Sequence, residues 1–237
     1  MRVDFHCHIL PGIDDGSKSL SESVEMLKLE AEQGIEHVVA TPHFYAASDT
    51  PDRFLRRRQE AQLRLQEEMQ KYPGLPEVSV GAEVYYFRGI SDSDKLLDLT
   101  FGNKRFILLE MPEVIWTESM FAEIEQIYRK QGIVPIIAHI DRYIGLFQNR
   151  GIAERLSEMP ALVQANASFF LRPMTRSLAL RMVSRDQIHL LGSDCHNTES
   201  RPPKLGPVFQ LIENRLGKSA VERIDQYGAD VLFGEHS

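Results

Sequence analysis

Residues 2–8 read RVDFHCH and residues 188–196 read IHLLGSDCH, and both are short apolar runs that end in two ionisable side chains separated by a cysteine. A run of Val, Ile, Leu or Phe that is this short and is bounded by polar residues predicts a buried strand. Runs of the same kind recur, so the strands expected lie near 2–6, 37–41, 78–83, 106–110, 134–139, 162–166 and 188–193. Segments of helical period separate them. The first places Leu20, Val24, Leu27 and Ala31 on one face, with Ser19 and Glu22 as a capping box and Gly34 as its stop. Later helices are expected near 54–71, 119–131, 152–158, 174–185 and 208–216. Apolar strands alternating with helices indicate parallel pairing covered on both faces, in a closed barrel or a doubly wound sheet. No repeat, linker or low-complexity tract divides the chain, so a single domain is expected over 1–237, with 43–53 as a loop at its rim.

The positions of the ionisable residues favour the barrel. No G-x-G-x-x-G or G-x-x-x-x-G-K-[ST] follows a strand, so no glycine-rich loop cradles a nucleotide. Potential metal ligands stand there instead. His6 and His8 close the first strand, His43 follows the second, Glu83 ends the third, Glu110 the fourth and His139 the fifth, while Asp194 and His196 follow the seventh. In an α/β barrel the C-terminal strand ends meet on one face. Residues i and i+2 of an extended chain point to one side, so His6 with His8, and Asp194 with His196, enter one pocket while Cys7 and Cys195 turn away. With Asp15 of the Gly12–Gly16 turn, five imidazoles and four carboxylates converge. As free side chains the anions would repel one another, whereas divalent cations would hold them ionised. Imidazole with carboxylate and no thiolate suits manganese, with iron or zinc able to occupy some sites.

Composition excludes several classes. A net charge of -7 argues against a nucleic-acid partner, whose phosphates call for a basic face. Two cysteines make no disulfide scaffold, and neither a signal peptide nor an integral membrane segment stands out, so a cytoplasmic protein is expected.

The ordered motifs H-x-H at 6–8, D-D-G at 14–16, T-P-H at 41–43, G-A-E at 81–83, A-H-I-D-R at 138–142, S-D-C-H-N at 193–197 and R-P-P at 201–203 together resemble the PHP (polymerase and histidinol phosphatase) superfamily. Within it the chain is similar to the bacterial capsule-type tyrosine phosphatases that act with tyrosine autokinases in polysaccharide export. The resemblance covers nearly the whole chain. It implies a TIM-like, distorted seven-stranded (β/α) barrel with three metals at the C-terminal strand ends. The first metal would take His6, His8, Glu83 and Asp194; the second would share Glu83 and add Glu110 and His139; the third would take Asp15, His43 and His196. Arg142 and Arg201 match the arginines that would hold the phosphate, and Asp141 departs from the glutamate expected before the first of them. The partner implied is the phosphotyrosine tail of an autokinase. A small-molecule phosphatase of the histidinol-phosphatase type is the alternative on the same fold, and a non-catalytic interaction module is a third reading.

Other residues carry plainer expectations. His37, His189 and His236 read as surface or hydrogen-bonded histidines. Asp14 reads as a hydrogen-bonding turn residue, although Asp14 and Asp15 each sit in a turn signal. Cys7 and Cys195 read as inert packing, close to each other if the first and last strands are neighbours, and neither heads a C-x5-R loop with a glycine-rich cradle. Arg53, Arg56, Arg57, Arg58 and Arg64 read as a solvated helix face, with substrate binding the minority reading. Trp116, Tyr85, Tyr86 and Phe87 stand near strand ends, where an aromatic rim and ordinary packing are equally supported. Glu113 and Glu118 are the spare acids near the ligand motifs that could serve an amine-bearing substrate.

Overall fold

Strand β1 (Val3–Cys7) is buried at every position and pairs in parallel with β2 (His37–Ala40), which pairs in parallel with β4 (Glu77–Val80). The structure, a computed structural model, describes residues 1–103, 105–144 and 151–234. A second parallel sheet runs in the order β3 (His43–Phe44), β5 (Glu83–Tyr85), β6 (Phe106–Glu110), β7 (Val134–Ile137), β8 (Leu162–Asn166) and β9 (Leu190–Gly192). The sheets curl toward each other. The Asp194 amide donates to the His6 carbonyl at 2.8 Å and the His8 amide to the Cys195 carbonyl at 3.0 Å, tying the end of β1 to the segment after β9.

The expected parallel α/β architecture is present. The strand count differs, because two expected strands change sheet partway along. The strand expected over 37–41 ends at Ala40 and resumes as β3 after Pro42, which has no amide to donate to a ladder. The strand expected over 78–83 divides at Gly81, where a Cβ would lie 2.6 Å from Cδ1 of Phe101. Only glycine lets that ring press against the backbone.

Among the described residues, helices α1 (Leu20–Glu32), α2 (Pro51–Met69), α3 (Glu118–Gln131), α4 (Ile140–Ile144), α5 (Ile152–Ser157), α6 (Ala167–Leu171), α7 (Pro173–Ser184), α8 (Leu205–Leu216) and α9 (Lys218–Phe233) accompany the strands, with two short 3₁₀ segments. Ser19 caps α1 by accepting from the Glu22 amide at 3.1 Å, and the Glu22 carboxylate accepts from the Lys18 amide at 2.8 Å. Helix α9 was not expected from the sequence. Among the described residues no helix is long and apolar enough to cross a membrane.

The strands have two buried faces. On one side lies the larger core beneath the helices, with Cys7, Ile107, Leu109, Ile137 and Val163. On the other, Val3, Phe5, Val39, Phe106, Leu108, Ile136, Ala138 and Leu190 form a separate cluster, closed by Phe101 and by Val231 and Leu232 of α9. Gly228 lets α9 approach β1, since a Cβ there would sit 3.2 Å from the Phe5 ring. This inner face continues upward into ionisable residues at the same period of two. Phe106 and Leu108 lead to Glu110, and Leu190 and Gly192 lead to Asp194.

Because Leu108 is fully buried in that inner cluster, Leu108→Ala should cost about 2–5 kcal/mol of stability. Urea unfolding should show a lowered midpoint with an unchanged slope.

Candidate metal centre

Ionisable side chains from both sheets meet above the inner cluster. His6 Nε2 lies 3.1 Å from His8 Nε2, and these two atoms lie 3.2 and 3.4 Å from Glu83 Oε2 and 3.7 and 3.6 Å from Asp194 Oδ1. On one flank His139 Nε2 stands 2.6 Å from Glu83 Oε1 and 3.6 Å from Glu110 Oε1. On the other, Asp15 Oδ1 lies 3.5 Å from His43 Nε2 and 3.4 Å from His196 Nε2. Glu83 joins the flanks, because its Oε2 is also 2.8 Å from His43 Nδ1. All nine expected residues therefore share one site. His6, His8, Glu83 and His139 are buried, whereas the Asp15 side chain is 65% exposed and opens the site to water.

The donor set suits divalent cations. Buried Nδ1 of His43, Nε2 of His196 and the Oε2 atoms of Glu83 and Glu110 have no hydrogen-bond partner. His43 Nδ1 and Glu83 Oε2 lie 2.8 Å apart without the alignment of a hydrogen bond. Buried polar atoms rarely go unsatisfied, and a cation satisfies several at once. Groups of donor atoms within 4.8 Å of one another include His8, Asp15, His43 and His196; His6, His8 and Asp194; His6, Glu83 and His139; and His43, Glu83 and Glu110.

Two backbone positions are strained to achieve this. His139 has φ 43° and Asp194 has φ 53°, in the left-handed region that residues with a Cβ avoid. Asp4 anchors the neighbouring turn. Its Oδ1 accepts from the amides of His6 at 3.0 Å and Ser193 at 2.9 Å, fixing β1 against the segment that carries Asp194.

The electrostatics follow from charge crowding. Burial alone would raise the Glu83 carboxyl, but the charges of His6 and His139 hold it well below the usual carboxylate range. Burial alone would lower the His139 imidazole, yet Glu83 and Glu110 lift it to about 10. His8 is raised well above its ordinary value by Asp14 and Glu83 against the effect of burial, and His43 is raised by Glu83 in the same way. His196 goes the other way, to about 4, through burial and the nearby charges of His8 and Arg201.

Arg142 and Arg201 border the cluster. Arg142 donates to Glu110 at 2.8 Å and to Asp194 at 3.4 Å, and Arg201 donates to Asp194 at 2.8 Å. Asp141 accepts from the Asn166 amide at 3.3 Å. Arg142 reaches the cluster with aspartate before it.

Several residues have roles at the site that the sequence did not assign. Asp14 does more than close a turn: its Oδ2 takes the hydrogen bond of His8 Nδ1 at 2.8 Å and that of the His43 amide at 3.0 Å. Those contacts and the Gly16 amide overcome burial and hold its carboxyl down to about 2. Gln164 accepts from the His139 amide at 2.9 Å, and Asn166 donates to Asp194 at 2.9 Å. Tyr45 stacks on His43 with centroids 5.3 Å apart and stands 5.6 Å from Tyr85. Trp116 is buried against Phe121 and Tyr143, and Tyr86 and Phe87 lean on the core, so the aromatic rim consists of Tyr45 and Tyr85.

The remaining expectations resolve simply. Cys7 and Cys195 are free, fully buried on the helix side and 2.9 Å apart at Sγ, and burial pushes the Cys7 thiol up. His37 bonds Ser79 at 2.9 Å and His189 accepts from the Val163 amide at 3.0 Å, both away from the site, while His236 lies outside the described residues. Arg53 and Arg57 pair with Asp49, and Arg58 donates to the carbonyls of Gly81 and Asp98.

Comparison with known proteins places this geometry among relatives. A family model described as capsular polysaccharide synthesis, CpsB/CapC, matches residues 2–233. The chain is 28% identical to the tyrosine-protein phosphatase CpsB of Streptococcus pneumoniae, covering 94% of each chain. It is 28% identical to the tyrosine-protein phosphatase YwqE of Bacillus subtilis, over 91% of this chain and 85% of the relative. A solved structure from work on YwqE of Bacillus subtilis and CpsB of Streptococcus pneumoniae, described as metal-dependent tyrosine phosphatases, superposes with a TM-score of 0.86 at 25% identity, covering 99% of this chain and 95% of that one.

Asp14→Ala should release the His8 ring and weaken Mn2+ binding by about 10–100-fold in a calorimetric titration; unchanged affinity would show that His8 is oriented by something else. Protons held on His8, His43 and His139, all raised from their ordinary values, must leave before those nitrogens can coordinate. Lowering the pH should therefore weaken Mn2+ binding, and uptake at neutral pH should release protons into weakly buffered solution.

Proposed function

The chain belongs to the CpsB/CapC family of capsular polysaccharide synthesis, and on that premise we propose that it is a metal-dependent protein-tyrosine phosphatase acting on the phosphotyrosine tail of a bacterial tyrosine autokinase. The carrying observation is the convergence of five imidazoles and four carboxylates with buried donor atoms left unpartnered. The cations we assign are manganese, with iron or zinc able to enter some sites. His6, His8, Glu83 and Asp194 would hold the first, Glu83, Glu110 and His139 the second, and Asp15, His43 and His196 the third. The reading takes the curled sheets as a distorted seven-stranded barrel, the chain as one catalytic domain over 1–237, and its setting as the cytoplasm.

When bound, the cations supply Lewis acidity, which lowers the pKa of water from about 15.7 toward roughly 7. The chain's own residues supply recognition and position. Arg142 and Arg201 present planar guanidinium groups suited to two phosphoryl oxygens at once. Asp14 holds the His8 ring through Nδ1, which leaves Nε2 facing the site. Gln164 and Asn166 fix the His139 backbone and the Asp194 carboxylate. A tyrosine leaving group departs as a phenolate whose conjugate acid has a pKa of about 10, so it needs little help from a general acid.

The alternative small-molecule reading asks for spare carboxylates to receive an amine. Glu118 is spent on an ion pair with Arg155 at 2.6 Å, and Asp49, beside the site, is spent on Arg53 and Arg57. Glu113 is exposed and lines neither of the two cavities beside the cluster. The third reading, a non-catalytic module, is disfavoured by a ligand set with no position missing.

Mn2+-loaded protein should hydrolyse a phosphotyrosine peptide with a kcat/KM well above that for histidinol phosphate, lose activity in EDTA and recover it with Mn2+. The reverse substrate order would replace the substrate class and leave the phosphoesterase chemistry standing. Arg142→Ala and Arg201→Ala should each lower kcat/KM on every phosphomonoester by about 10²–10³-fold, since both act on the group these substrates share.

A further inference from the structure

Two cavities border the cluster, and their charges differ. The first, of about 650 Å³, is lined by His43 and Tyr45, by the three acids Asp14, Asp15 and Asp49, and by Arg53 and Arg57, both of which pair with Asp49. The second, of about 570 Å³, holds Arg142 and Arg201 together with Arg172 and Lys204. Its acids are Asp141 and Asp194. Asp194 is occupied by Arg142, Arg201 and Asn166, and Asp141 accepts from the Asn166 amide.

Arg172 and Lys204 are left over. Both are exposed, and among the described residues neither side chain has an ion-pair or hydrogen-bond partner. Their backbones are nonetheless well held. Arg172 is followed by Pro173, the first residue of α7, and its carbonyl accepts from the Arg176 amide at 3.0 Å. Lys204 follows Pro202 and Pro203, and Gln33 grips both sides of it through the Pro203 carbonyl at 3.0 Å and the Gly206 amide at 3.0 Å. In a chain of net charge -7, two unmatched cations on fixed stems beside the phosphate-facing arginines create a local positive field with no internal use.

We infer that the second cavity is a subsite for an acidic side chain that flanks the phosphotyrosine in the substrate peptide, received by Arg172 and Lys204. The inference rests on the phosphotyrosine reading above and adds a sequence preference to it. Arg142 and Arg201 face the phosphate, so the flanking carboxylate is what remains for the other two cations. Because they act on the peptide and not on the reacting group, their contribution lies in KM.

The test compares three substrates of the Mn2+-loaded protein: p-nitrophenyl phosphate, a phosphotyrosine peptide with neutral flanks, and the same peptide with glutamates on both sides. Wild type should favour the acidic peptide over the neutral one by about tenfold in kcat/KM, the scale of two partly exposed ion pairs. Raising the salt to 0.5 M should shrink that preference, since about 0.1 M already screens beyond roughly 10 Å. The double variant Arg172→Ala, Lys204→Ala should raise KM for the acidic peptide to that of the neutral one, with the loss confined to this substrate. Arg172→Glu with Lys204→Glu should reverse the order, favouring a lysine-flanked peptide. A peptide with a second phosphotyrosine in place of the glutamates separates the two sources of negative charge. A preference for this peptide alone would overturn the assignment to carboxylates. The inference also fails if wild type shows no preference, if the preference survives the double variant, or if the variant loses equally on all three substrates. Activity on p-nitrophenyl phosphate without activity on any phosphotyrosine peptide would instead overturn the reading on which it rests.

Discussion

Four carboxylates and five imidazoles gathered largely out of water, with donor atoms in groups no wider than 4.8 Å, impose the condition that the rest of the structure must meet. Anions at such distances repel strongly in a low-dielectric interior, and within the chain they are compensated by Arg142 and Arg201 at the rim and by protonation of the histidines between them. His139 lifted to about 10 beside a depressed Glu83 is part of that compensation. It is incomplete, because buried atoms of His43, His196, Glu83 and Glu110 still lack hydrogen-bond partners. Divalent cations balance the anions directly and allow each imidazole to be neutral, so the protonated arrangement and the metal-bearing one are alternative solutions to one problem of charge.

Only a stiff support can hold like charges together, and the strands supply it through their alternation. The inner face that ends in Glu110 and Asp194 begins in Phe106 and Leu190, and a register shift in β1 between Asp4 and Cys7 brings His6 onto the same side as Val3 and Phe5, so an apolar layer lies directly beneath the ionisable one. The outer face is packed against the helices. Strain at His139 and Asp194, on the order of 1–2 kcal/mol per residue, is tolerable because neighbouring contacts over-determine both. Asp4 contributes from the outer face, where it lies with Glu30, Cys7 and Cys195. Burial raises the carboxyls of Asp4 and Glu30, and Asp4 keeps its hold on the His6 and Ser193 amides.

The residues that converge were legible in the sequence because they follow a local rule: strand ends, taken two residues apart, face one way. His6 with His8, and Asp194 with His196, obey it, and the cysteines between them fall on the opposite face. What was not legible depends on partners remote in sequence. Gly81 breaks its strand because the Phe101 ring lies against it, and Pro42 breaks the adjacent one at the same level. Helix α9 carries Val221, Ile224, Val231 and Leu232 at helical spacing, but Gly228 interrupts the pattern, and the surface it covers exists only once the sheet has curled. Gln164 and Asn166 bear amides, which announce no metal chemistry, although they end the one strand to which no ligand had been assigned. Asp14 was read correctly as a hydrogen-bonding residue, but its partner, the His8 ring, could not be seen from a turn motif.

The arginines bind recognition to the same balance of charge. Arg142 and Arg201 rest on Glu110 and Asp194, the carboxylates that the proposed cations also require. Breaking a partly buried ion pair is unfavourable unless the charges released find new partners. Cations at the carboxylates and a phosphate at the guanidiniums provide both partners together, whereas either one alone leaves a group uncompensated. On the proposed reading, phosphate affinity and metal affinity would be linked through these arginines, and by reciprocity each would strengthen the other.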